Sequence, residues 1–136
     1  MNRRKRIKTF KLLIIRALLV FWIAGIFYVS LTSSPQKDFP LCVSLGPLAL
    51  HFIAFFVLFI LFYLSFVVFE DKIILRMGSF FGLTVSVSLI KEFAQFFVKG
   101  RTFSFEDILV DAGSALIAAV IIGMAERRKT WLRHQL

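Results

Sequence analysis

Apolar residues fall into four long runs separated by short polar segments. The first runs from Leu12 to Leu31 and holds one charge, Arg16. The second runs from Leu48 to Phe69 with one ionisable group, His51. The third spans about Phe80 to Val98 and carries Lys91, Glu92 and Gln95; the apolar Ile73–Leu75 allows it an earlier start. The fourth runs from about Phe105 to Met124, with Glu106, Asp107 and Asp111 crowded at its beginning. About 20 residues at ~1.5 Å each cross the ~30 Å of bilayer hydrocarbon. Barrel strands would alternate apolar and polar positions, and these runs are continuous, so they predict helices. The expectation is an all-α integral membrane protein, a four-helix transmembrane bundle forming one membrane domain over residues 1–136, with basic cytoplasmic tails at 1–11 and 125–136.

Composition agrees with this reading. The chain has 136 residues, 59% of them apolar, enough for about four spans, which use most of the chain and leave no room for a separate soluble domain. Its 18 Phe residues also argue against disorder. Phe52, Phe55, Phe56, Phe59 and Phe62 read as lipid-facing or core packing residues. The breakers Ser33, Ser34, Pro35, Pro40, Gly46 and Pro47 mark the first connection. The single cysteine, Cys42, allows no internal disulfide and reads as a packing residue.

The net charge of +9 acquires meaning only by position. Seven Lys or Arg precede or open the first span, two lie between spans two and three, and four lie in the C-terminal tail. With four spans, these thirteen share one side against three on the other. The positive-inside rule then places both termini in the cytoplasm. The basic N-terminus reads as an anchor to anionic lipid, not as a nucleic-acid arm. The first run is long for a cleaved signal peptide and no A-x-A site follows it.

This topology gathers the polar residues near the outer leaflet. His51 opens span two, Glu92 and Gln95 end span three, Arg101 lies in the turn, and Asp107 and Asp111 open span four. Buried charges in lipid need a partner or a function. Glu92, Gln95 and Ser88 share one helix face by spacing. Asp107 and Asp111 continue into Ser114, Ala115 and Ala118, a stripe small enough for close helix approach. That face is expected to point into the bundle. Bland alternatives accompany each residue. Ser104 has the form of an N-cap with Asp107 at N3. Glu106 reads as a first-turn acid, Glu92 as a partner of Arg101 or Lys91, and Lys91 as a side chain that snorkels to the surface.

The pattern Glu92-x-x-Gln95-x-Phe97-x-x-Gly100-Arg101-x-x-Ser104-x-x-Asp107, followed by Asp111-x-Gly113, resembles the VanZ-like family. Leu50-His51-Phe52-x-Ala54-Phe55 and Ser30-Leu31-x-Ser33-x-Pro35 fit the same resemblance, which covers roughly residues 20–125. It implies a small polytopic bacterial-type membrane protein whose founding relative is linked to low-level teicoplanin resistance, with no securely established activity. His51, Glu92, Gln95, Arg101 and Asp107 match the family's polar motif. Asp111 stands where Asn is usual, Phe55 where Tyr is common and Lys99 where Pro is frequent, and Ala49 and Leu50 replace polar residues.

Three functions follow as expectations. The first is a non-enzymatic cell-membrane protein that binds a polar or anionic lipid-linked envelope group, such as a cell-wall precursor, through His51, Glu92, Gln95, Arg101, Asp107 and Asp111. Its partners are membrane lipids, with no nucleic acid, no cofactor and no metal. The second is an intramembrane enzyme using paired carboxylates and His51 as acid and base, although no G-x-S-x-G, H-E-x-x-H or P-loop supplies a nucleophile or metal motif. The third is a small oligomeric transporter, disfavoured because the acids lie at one outer level and not at mid-membrane.

Overall fold

The structure, a computed structural model, describes residues 3–32, 46–66 and 73–133. It contains α1 (Arg3–Leu31), α2 (Pro47–Phe66), α3 (Ile73–Gln95) and α4 (Phe105–Arg133). All four are long and apolar enough to cross a membrane, as the four apolar runs predict. The described residues hold no strand. The first and last helices extend further than the apolar runs, at the same end of the bundle. The basic residues at the start of α1 and the end of α4 continue the helices. The connection carrying Cys42 lies outside the described residues.

Away from its ends a helix pairs every backbone group internally, the condition for crossing hydrocarbon. Hydroxyls within α3 follow the same economy. Ser79 Oγ donates to the Leu75 carbonyl, Thr84 Oγ1 to Phe80 and Ser86 Oγ to Gly82, each one turn back.

α2 packs most extensively on α4, and α3 also packs closely on α4. Phe55, Leu58, Phe59 and Phe62 form the buried ridge of α2, at helical spacing. Ala115 and Ala118 meet the core from α4 and are almost completely buried. Their small side chains let backbones approach, which matters because lipid supplies no hydrophobic drive between helices. From α3, Phe80 meets Phe59 and Tyr63 edge-on, with 6.4 Å between centroids in each case, a favourable aromatic geometry.

α1 is more loosely held. Among its described side chains only Leu19, Ile26 and Ser30 are buried. Its outward face includes Phe21, 77% exposed, as expected for a surface against lipid. The Trp22 indole N–H donates to the Ala54 carbonyl of α2 at 3.0 Å and ties the two helices together.

Candidate functional site

The C-terminal end of α1, the start of α2, the end of α3 and the start of α4 meet at one end of the bundle. The turn between α3 and α4 fixes this geometry. The Arg101 N–H donates to the Val98 carbonyl at 3.1 Å, and Gly100 takes φ = 83° between them. That left-handed conformation at the third turn position suits glycine.

The start of α4 is capped from two directions. Ser104 Oγ accepts the Asp107 N–H at 3.2 Å, as its N-cap form predicts. In a capping box the Asp107 carboxylate would reach back to the Ser104 N–H. Here Glu92 Oε2 of α3 accepts that N–H at 2.9 Å. Asp107 is thereby released to face α2, where its Oδ2 lies 3.4 Å from His51 Nε2.

Asp111, one turn further along, is fully buried and has three polar partners. Ser88 Oγ donates to Oδ2 at 2.6 Å, Lys91 Nζ to the same oxygen at 2.9 Å, and His51 Nδ1 lies 3.1 Å from Oδ1. The expected snorkelling of Lys91 is therefore corrected: its side chain is 0% exposed. Its ammonium reaches Asp111, His51 Nδ1 at 3.0 Å and Glu92 Oε1 at 3.0 Å, and sits 5.0 Å from the Phe55 ring centroid. The Glu92 contact is an ion pair without hydrogen-bond geometry, because Oε1 has no hydrogen-bond partner. Lys91 points inward because two carboxylates, an imidazole nitrogen and an aromatic face compensate a charge that lipid would not.

The imidazole of His51 stands between two carboxylates. Its Nδ1 faces Asp111 and Lys91, while its Nε2 faces Asp107. One ring nitrogen of a neutral imidazole donates and the other accepts. A proton on Nδ1 meets Asp111, and a proton on Nε2 meets Asp107. The arrangement can hold or pass a proton between two acceptors. His51 and Asp107 are its accessible part, with side chains 18% and 22% exposed, whereas Asp111, Glu92 and Lys91 are sealed.

Of the six sequence-predicted residues, His51, Glu92, Asp107 and Asp111 join this network. Gln95 and Arg101 turn to α1 instead. Gln95 Nε2 donates to the Ser30 carbonyl and Arg101 Nε to the Thr32 carbonyl, both at 3.3 Å. They serve carbonyls that helix geometry leaves unpaired, and the guanidinium also suits the negative end of the helix dipole. Glu106 is exposed in the first turn of α4. Sequence reasoning offered Lys91 as a partner of Glu92, as found, but left it out of the site, although Ser88, Lys91, Glu92 and Gln95 fall at i, i+3, i+4 and i+7, the spacing of one buried face.

An open cavity of about 350 Å³ lies between α1 and α2 and reaches this network. Trp22, Gly25, Ile26 and Ala54 give it apolar walls, and His51 and Lys91 border it. Gly25 leaves room there, since a Cβ would meet nothing within 4 Å.

A family model described as VanZ/LLP1 matches residues 3–126, a range that contains the whole network and both walls of the cavity. Neither curated proteins nor solved structures give a match.

Proposed function

This chain belongs to the VanZ/LLP1 family, and from that premise we propose that it is a multi-pass cell-membrane protein that binds a lipid-linked polar or anionic envelope group. The observation that carries the reading is the apolar cavity bordered by His51 and Lys91. Such a cavity fits an apolar tail, and its polar border fits a headgroup. Arg101 donates through Nε alone among the described contacts, so its Nη groups are available for phosphate or carboxylate. Asp107 and His51, the accessible part of the network, suit hydroxyl or amine groups. The distribution of Lys and Arg supports an outer-leaflet position for this end. A lipid-linked cell-wall precursor has this chemistry, and its capture would change how a glycopeptide such as teicoplanin meets its target.

Native mass spectrometry of the purified protein tests the reading. Wild type is expected to carry a co-purifying lipid, Gly25→Phe to lose it by filling the cavity, and Arg101→Ala to weaken it. Helicity and thermal stability are followed in parallel, because Arg101 also holds α1. Wild-type lipid occupancy in folded Gly25→Phe would overturn the proposal.

The position of His51 between Asp107 and Asp111 favours a second reading, an intramembrane enzyme in which His51 relays a proton. Asp107→Asn that keeps lipid but loses its chemical conversion would support this reading. Identical lipid products from both proteins would remove it.

A further inference from the structure

The opposite end of the bundle carries a second groove, between α3 and α4, with a volume of about 330 Å³. Ala119, Gly123 and Arg127 follow one another along α4 at one-turn spacing, facing Met77 of α3 across the gap. The two small residues create the space: a Cβ on Gly123 would meet nothing within 4 Å. The rim is apolar and open to lipid, with Ile74 and Met124 both largely exposed. One turn beyond Gly123, Arg127 closes the line with a cation.

The end of the bundle that holds this groove is basic. The Arg16 guanidinium lies 5.8 Å from the Phe66 ring centroid and that of Arg76 lies 5.5 Å from the Tyr63 centroid. Arg127 and Arg128 extend the positive surface on α4. Among the described residues the acid at this end is Glu126, whose Oε1 accepts the Tyr63 hydroxyl at 2.8 Å. Three helices thus present guanidinium groups at this end of the bundle, and Arg127 lines the slot itself. Guanidinium binds phosphate through paired donors, and the slot takes hydrocarbon.

We propose that this groove is a site for an anionic phospholipid, with one acyl chain along Met77, Ala119 and Gly123 and its phosphate at Arg127. The site is separate from the cavity between α1 and α2, and does not depend on what that cavity binds. The charge of the surroundings selects the lipid class: a net-negative headgroup is attracted, and a zwitterionic one gains little.

The test uses the full-length protein in micelles doped with equal amounts of phosphatidylglycerol and phosphatidylcholine, read by native mass spectrometry. Wild type is expected to retain phosphatidylglycerol preferentially, by about fivefold for one engaged arginine. Gly123→Phe fills the slot and is expected to abolish the preference, while Gly123→Ala preserves it. Arg127→Gln is expected to bring the two lipids to equal retention. Helicity and thermal stability, followed in parallel, report that Gly123→Phe is folded. Equal retention of both lipids by wild type would overturn the proposal. So would an unchanged preference in folded Gly123→Phe, which would mean non-specific annular lipid, or a loss confined to a dimeric form, which would mean that a second copy covers the groove.

Discussion

Lys91 Nζ lies 2.9 Å from Asp111 Oδ2, and neither side chain has any solvent exposure. A buried pair of this kind is asymmetric in its energetics. Replacing both charges with well-packed apolar groups is often tolerated, whereas removing one strands the other. Asp111→Asn is expected to destabilise the bundle by about 3–5 kcal/mol. The double variant Lys91→Met with Asp111→Asn should recover much of that loss. Reversible unfolding in mixed micelles measures both. Equal stability of wild type and the single variant would mean that the pair does not hold the helices together.

Glu92 links α3 to the first turn of α4 through the Ser104 N–H. Ser104→Ala removes one cap and should cost about 1 kcal/mol. Glu92→Ala should cost more, since it leaves a partly buried N–H unpaired and removes one partner of Lys91. Amide hydrogen exchange in residues 105–108 should accelerate in both variants. Glu92→Gln should protect those amides better than Glu92→Ala, because its amide oxygen can still accept.

The tie between Trp22 and the Ala54 carbonyl is one of few polar links holding α1. Trp22→Phe should cost about 1 kcal/mol. The effect should concentrate in α1, read as faster exchange and protease cleavage there with α3 and α4 unchanged. Gln95→Leu should loosen the C-terminal end of the same helix by freeing the Ser30 carbonyl.

Tyr63 and Glu126 join α2 to α4 at the other end at 2.8 Å. Tyr63→Phe removes that bond, keeps the edge-on contact with Phe80 and should cost about 1 kcal/mol. Thermal unfolding in micelles provides the comparison, and lipid carried in the α1–α2 cavity should be unchanged.

The stripe from Asp111 through Ser114, Ala115 and Ala118 was legible because one helix carries all of it. Helical spacing places the four on one face, and all four are buried. His51, Glu92 and Asp107 were legible as a group because short connections bring neighbouring helix ends together. Lys91 was misread because its length permits two directions: out to the interface or in toward a counter-charge. The choice depends on Asp111, twenty residues away, and on the face that α4 turns toward α3. Gln95 and Arg101 were placed at the right end of the bundle, but their contacts with α1 were not foreseen. Their acceptors are backbone carbonyls at the end of α1, and every residue type carries those, so no side-chain pattern announces them.

The sequence by itself determined the number of helices, their approximate limits, their apolar surfaces and the end at which the polar residues collect. Each span closes its own hydrogen bonds, so its existence depends on local composition alone. Only the tertiary structure decided how the polar groups divide: Lys91 into the core with Asp111, Glu92 to the cap of α4, Gln95 and Arg101 to α1. These choices rest on the rotation and separation of whole helices. Packing between the Phe ridge of α2 and the small residues of α4 sets both, and no local spacing encodes them.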